Sequence, residues 1–246
     1  MRLALALLAL LAGPVAAQPM SGAATMPTGP TGRMLGDDEA APYLGIGRLN
    51  VAGARFCTAT LISETRVLTA AHCLFDPTSR RMVGRDRLRF VAGQRRDTEA
   101  AVRGVARMAV LPGFTYDPAA DPRHVARDVA LLELDAPVPG AVAGALPVVG
   151  FDADRAARIV SYSRGRAYVP SVAEPCDALA AGRGILTLGC AVRSGASGAP
   201  VLVGPPGAAG VMAVVSAMAV GTDGREVALT VIAAPNMAAL EGALSE

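Results

Sequence analysis

Ser194-Gly195-Ala196-Ser197-Gly198-Ala199-Pro200 is the stretch on which the reading of this 246-residue chain turns. Alone it is a turn, with two glycines and a proline among small residues, set between apolar runs. Two upstream stretches change that reading: Leu68-Thr69-Ala70-Ala71-His72-Cys73 and Asp128-Val129-Ala130-Leu131-Leu132. A serine hydroxyl is almost never ionised at neutral pH and needs a base within hydrogen-bond reach. A histidine can be that base, and a carboxylate can hold its tautomer and stabilise the imidazolium. A serine in a glycine-rich turn, a histidine and an aspartate are therefore the parts of an oriented nucleophile.

The order His, Asp, Ser, each in this local setting, resembles the trypsin/chymotrypsin-like serine peptidases, from about Leu44 to the C-terminus. Thr69-Ala70-Ala71-His72-Cys73 matches the family's histidine motif residue for residue. Asp128 heads a buried apolar run, as the family's aspartate does, and a charge entering such a strand needs hydrogen-bond partners. The resemblance implies that His72 is the base, Asp128 its orienting partner and Ser197 the nucleophile. It also implies that the Gly195 and Ser197 amides are the oxyanion donors, with glycines leaving the backbone unobstructed. The α/β-hydrolase elbow also uses Gly-x-Ser-x-Gly, but its histidine follows the serine. No histidine follows Ser197; the two in the chain are His72 and His124. His124, in the polar loop before Asp128, reads as a solvated loop residue that could line the cleft. The two histidines have no clustered metal-ligand spacing, and neither a metal nor a cofactor is expected.

The chain departs from the family pattern in two places. The family usually has Asp before the nucleophile, where Ala196 stands here; this is closer to the bacterial glutamyl-endopeptidase-type branch. The family's pocket base, six residues before the serine, falls on Ala191, which offers a basic side chain no counter-charge. Val192 is also apolar, and Val215 stands where a glutamate-specific pocket would offer a histidine. The resemblance places the substrate-binding residues at Ala191, Val192, Ser216, Ala217 and Met218, the last three on an edge strand to which a peptide would add. An apolar or small side chain is the expected substrate preference.

Composition agrees with an ordered, exported domain. Hydrophobic residues make up 52% and charged residues 18%, so a large core is available and disorder is not. Aromatics are 4% and tryptophan is absent, so that core is built mainly from Ala, Val and Leu. Every cationic side chain is arginine, which reads as genomic base composition rather than a basic surface. The formal net charge is +2, and the first acidic residue is Asp37. Removing residues 1–33 takes away Arg2 and Arg33 and leaves no net charge, which argues against nucleic-acid binding.

Met1-Arg2, an apolar run over 3–12 and Val15-Ala16-Ala17 read as a signal peptide over 1–17. The run is shorter than the roughly 20 residues of a membrane span, so no stable membrane anchor is expected. Export makes the protein extracellular or periplasmic and disulfides plausible. The four cysteines, Cys57, Cys73, Cys176 and Cys190, allow three pairings. A Cys57–Cys73 bridge would pin the loop carrying His72, and a Cys176–Cys190 bridge would brace the wall before the nucleophile turn.

Residues 18–36, rich in Pro, Gly, Ser, Thr and Met, read as a flexible propeptide or linker. Strands are predicted over 43–49, 56–62, 66–69, 87–92, 102–111 and 129–134, then over 157–162, 184–190, 199–203, 211–220 and 226–233, with a closing helix over 237–245. Many short strands with Gly/Pro turns mean an all-β fold. The resemblance makes it two six-stranded antiparallel β-barrels in one peptidase domain over 37–246, the first about 43–136 and the second about 148–236. The expected activity is a monomeric secreted serine endopeptidase acting on polypeptides through an acyl-enzyme. A catalytically inactive binding protein of the same fold, or an esterase using the same triad, are the alternatives.

Overall fold

The computed structural model of the protein describes residues 32–117, 122–221 and 223–245. The expected signal peptide and residues 18–31 of the expected linker lie outside them. Residues 32–36 of that linker are described, and part of them makes specific contacts. β1 (Arg33–Met34) pairs with Val172 and Ser171, and Leu35 is buried in the central core. One apolar side chain and two ladder positions tie down a segment whose composition alone reads as a linker.

Six strands form the first half: β2 (Ile46–Val51), β3 (Arg55–Leu61), β4 (Arg66–Thr69), β5 (Leu88–Ala92), β6 (Ala101–Val110) and β7 (Ala130–Leu134). They close into a barrel in the order β2-β3-β4-β7-β6-β5, which leaves no free edge. Its interior pairs large side chains (Leu49, Leu61, Leu88, Phe90, Leu132) with small ones (Ala59, Ala92, Ala130), all fully buried. That alternation lets an aromatic-poor sequence fill a closed space.

The second half is an eight-stranded antiparallel sheet: β8 (Ala157–Ser163), β9 (Arg166–Cys176), β10 (Ala178–Gly182), β11 (Ile185–Leu188), β12 (Pro200–Val203), β13 (Gly210–Val220) and β14 (Glu226–Ile232), with β1 at one end. The order is β1-β9-β8-β12-β13-β14-β11-β10. Sequence patterning missed β9 and β10. β9 contains Pro170 and Pro175, and β10 is Ala-Leu-Ala-Ala-Gly, exposed along its length. Neither shows the apolar alternation that marks a half-buried strand.

Three short α-helices are found among the described residues: α1 (Asp37–Ala40), α2 (Pro122–Val125) and the predicted terminal helix α3 (Met237–Ser245). α3 seats Leu240 and Leu244 in a core cluster that also contains Ile46, Leu68, Leu131, Val160, Tyr162, Leu202 and Val231. This cluster draws on both halves and holds them together. Tyr162 reinforces it by donating its buried hydroxyl to the Gln94 carbonyl at 2.8 Å. Burial drives the Tyr162 phenol well above its ordinary value, so it stays a neutral donor. The seam between the halves carries the residues singled out by the sequence.

Candidate active site

His72 sits on a single 3-10 turn, Ala71–Leu74, that follows directly from β4. Ala70, Ala71, Cys73 and Leu74 are buried, while His72 is partly exposed. The turn is anchored twice. Cys73 is bridged to Cys57 on β3, and the Arg55 guanidinium donates to the Cys73 carbonyl at 3.0 Å and to the Phe75 carbonyl. Partial burial lowers the pKa of Arg55 below its ordinary range, and nearby Tyr116 and Asp76 oppose that shift.

Asp128 ends the loop before β7 and is 5% exposed. Its carboxylate accepts from the His72 backbone N–H at 2.8 Å on Oδ1 and faces His72 Nδ1 at 2.6 Å through Oδ2. The Ser216 hydroxyl donates to that same Oδ2 at 2.5 Å. A buried carboxylate is tolerable only with such partners, and these also fix the His72 ring. His72 Nδ1 faces the acid, and Nε2 lies 3.8 Å from Cys73 Sγ.

The turn bearing Ser197 is held by both halves of the molecule. Gly195 has φ +100° and Gly198 φ +82°, conformations that disfavour any side chain. A Cβ on Gly198 would lie 2.2 Å from both the Thr58 carbonyl and Thr69 Oγ1. The Thr58 N–H donates to the Ser197 carbonyl at 2.9 Å, and the Thr58 hydroxyl donates to the Gly195 carbonyl at 2.9 Å. On the other side the Gly198 N–H donates to the Val215 carbonyl at 2.7 Å. Among the described residues the N–H groups of Gly195 and Ser197 have no acceptor.

Ser197 opens into a cleft of about 220 Å³ lined by Val192, Arg193, Ser194 and the run Val215, Ser216, Ala217 and Met218. The edge-strand residues proposed from the sequence are therefore at the cleft. Ala191 is 5% exposed and lines a second cavity together with Val192 and Arg193, which also line the cleft. Arg193 reaches the cleft mouth, where its guanidinium is held by Glu226 at 2.7 Å. Ala196 is 1% exposed and packed in the apolar cluster of the second half.

A further cavity of about 200 Å³ adjoins the cleft through Ser216 and Ala217 and is bounded by His72, Asp128, His124, Phe114 and Tyr116. Its aromatic wall was not foreseen. Tyr116 stacks on Phe75 with ring centroids 5.6 Å apart. The signal was the cluster Phe114-Thr115-Tyr116 in a chain with five Phe and four Tyr. His124 is in this wall, with Nδ1 3.6 Å from Asp117 Oδ2.

Ligand atoms of Cys57, His72 and Cys73 lie close together, but both sulfurs are spent in the Cys57–Cys73 disulfide, which leaves one usable donor. Cys176 is bridged to Cys190, tying the end of β9 to the residue before Ala191. No described helix is long and apolar enough to cross a membrane.

No curated protein matches the chain. A solved structure of a Glu endopeptidase in complex with MPD superposes with a TM-score of 0.70 at 18% identity, over 89% of this chain and 98% of that one. At that identity the likeness shows the fold, that of a trypsin-like serine peptidase. The family model described as Trypsin matches residues 35–231, most of the chain, and the chain therefore belongs to the trypsin family.

Proposed function

We propose that this chain is an exported serine endopeptidase in which Ser197 is the nucleophile, His72 the general base and Asp128 the residue that orients it. The observation that carries the reading is the pair of contacts from one buried carboxylate to His72, at the backbone N–H and at Nδ1. They hold Nδ1 on the acid, so that Nε2, which lies 3.8 Å from Cys73 Sγ, is the nitrogen that would take the Ser197 proton as its oxygen attacks a peptide carbonyl. The tetrahedral oxyanion would be met by the Gly195 and Ser197 amides, donors with no acceptor among the described residues. Protonated His72 then gives its proton to the leaving amine, and an acyl-Ser197 ester remains. Water, deprotonated by His72, releases the acid. The chemistry uses side chains and amides alone, with no cofactor.

Val192, Val215, Ala217 and Met218 make the cleft walls largely apolar, and Arg193 is already engaged by Glu226. An apolar or small substrate side chain fits that surface. Two disulfides agree with an oxidising compartment outside the cytoplasm, as the leader over 1–17 implies. The protein is proposed to act as a monomer on polypeptides, without a nucleic-acid partner or a stable membrane anchor.

The test is labelling of the folded, exported protein with a serine-reactive fluorophosphonate, followed by peptide mapping. Label on Ser197 that disappears in His72→Ala supports the assignment. A folded protein that takes no label instead fits the inactive binding protein of this fold.

A further inference from the structure

Five of the chain's 23 arginines fall within ten residues, Arg80, Arg81, Arg85, Arg87 and Arg89, with one carboxylate, Asp86, among them. All five are exposed, and none lines the cleft or the two cavities beside it. The backbone beneath them is fixed. Val83 and Leu88 are buried in the core of the first barrel. The Val83 N–H donates to the Leu74 carbonyl at 2.8 Å, the Asp76 N–H to the Arg81 carbonyl at 2.9 Å and the Arg87 N–H to the Gly84 carbonyl at 3.0 Å. Arginine usage that composition alone assigns to the genome is gathered here on one ordered surface segment.

Among the described residues none of the five makes an ion pair, whereas nearby Arg95 and Arg107 do, with Asp37 and Glu133. Arg85 donates to the Ala106 carbonyl at 3.1 Å, and Arg89 to the carbonyls of Asp86 and Leu88 at 2.9 and 2.8 Å. A carbonyl satisfies an N–H but leaves the positive charge uncompensated. Two carboxylates stand near: Asp86, and Asp135, which accepts the N–H of Gly104, the ladder partner of Arg89. Residues 1–31 carry no acidic side chain, so the N-terminal segment adds no counter-charge. An excess of positive charge remains on the segment.

Exposed charges spread along ten residues hold a small anion weakly, but a polyanion engages several at once and gains by avidity. Sulfate esters are fully ionised and tetrahedral, and the guanidinium fork meets such oxygens in pairs. Residues 80–89 contain no aromatic side chain on which a base could stack, and their one helical element is the three-residue turn Arg85–Arg87, too short to enter a groove. Met82, 39% exposed, is their one exposed large hydrophobic side chain, too little to anchor in a bilayer. We propose that residues 80–89 are a docking surface for a linear sulfated polysaccharide, which holds the protein by its first barrel and leaves the cleft open. This docking does not depend on the proposed reaction.

Anisotropy titration of fluorescein-labelled heparin with the full chain, at about 50 mM sodium chloride, tests the surface. Saturable binding with a Kd of about 10 μM or tighter is expected, and log Kd should rise with log salt with a slope of about 3. Arg80→Gln, Arg81→Gln and Arg87→Gln combined should weaken binding at least about tenfold and lower that slope by about 2. Arg155→Gln, Arg183→Gln and Arg225→Gln combined remove the same charge from exposed positions of the second half and should leave binding within about twofold. If the first triple variant does not fold, Arg81→Gln and Arg87→Gln singly replace it, each weakening binding about threefold. No saturable binding, or equal weakening by the two triple variants, overturns the surface. Desulfated heparin, which keeps its carboxylates, should bind at least about fivefold more weakly; equal binding overturns the sulfate assignment. Tighter binding to duplex DNA or to phosphatidylglycerol vesicles than to heparin overturns the polysaccharide as the partner.

Discussion

The Ser216 hydroxyl donates a 2.5 Å hydrogen bond to Asp128 Oδ2, the oxygen that also faces His72 Nδ1 at 2.6 Å. Ser216 thus has two positions in the site, lining the cleft and completing the shell of the buried acid. Removing its hydroxyl leaves Asp128 one donor short. Ser216→Ala should lower kcat about ten- to a hundredfold, the scale of one lost hydrogen bond to a charged group. Asp128→Asn, which presents the wrong group to Nδ1, should lower it about a thousandfold or more. Steady-state kinetics on an unfolded protein substrate decide this. Asp128→Asn retaining a tenth of the activity would refute the assigned role.

The two histidines should separate cleanly. His72→Ala should reduce turnover by about four orders of magnitude. His124→Ala should keep kcat within about threefold and act mainly on KM, since His124 lines the adjoining cavity without touching Asp128. A collapse of kcat in His124→Ala with a small loss in His72→Ala would reverse the assignment.

Gly198 is the point where the nucleophile turn presses on the first barrel. A methyl group there meets the Thr58 carbonyl and Thr69 Oγ1 at 2.2 Å, at φ +82°. Gly198→Ala should cost at least about 2 kcal/mol in urea unfolding and reduce fluorophosphonate labelling. Gly207→Ala, with φ +84° and no neighbour within 4 Å, supplies the comparison, carrying the backbone strain alone. Equal losses in the two variants would mean that contact with the barrel is unimportant.

Glu133 on β7 joins three elements. It pairs with Arg66 at 3.0 Å and with Arg107, and Arg66 reaches Glu241 on α3 at 3.4 Å. The hydrogen bond from Arg107 is the main cause that holds the Glu133 carboxyl below its ordinary 4.5, with Arg66 adding to it. A carboxylate held low in the folded state contributes stability above its unfolded value and loses it as pH falls through the folded one. Below about pH 4.5 the native protein should therefore lose this contribution, while Glu133→Gln has none to lose. Melting from about pH 6 to about pH 3 should show the native Tm falling about 1–3 °C further than that of the variant. Parallel curves would show that Glu133 has no linkage to acid stability.

Most strands could be read from the chain because β-branched and apolar runs were bounded by Gly/Pro turns; β4 was placed to the residue at 66–69. β9 and β10 were not legible, since prolines and alanines hide a strand whose partners are distant in sequence. The order of the second sheet, with β1 at one end and β10 at the other, depends on pairings that no local pattern encodes.

Sequence by itself pointed to the family, to His72, Asp128 and Ser197 as the candidate site residues, and to bridged cysteines, because each rests on local chemistry within a few residues. Tertiary structure alone decided that Ser216 serves Asp128 and that Ala191 shares a cavity with Arg164, Arg166 and Ser171, while it bore out the two cysteine pairs expected from the sequence. These are contacts between residues tens of positions apart. Their distances are set by how a closed barrel and an eight-stranded sheet pack across one core, which local pattern does not specify.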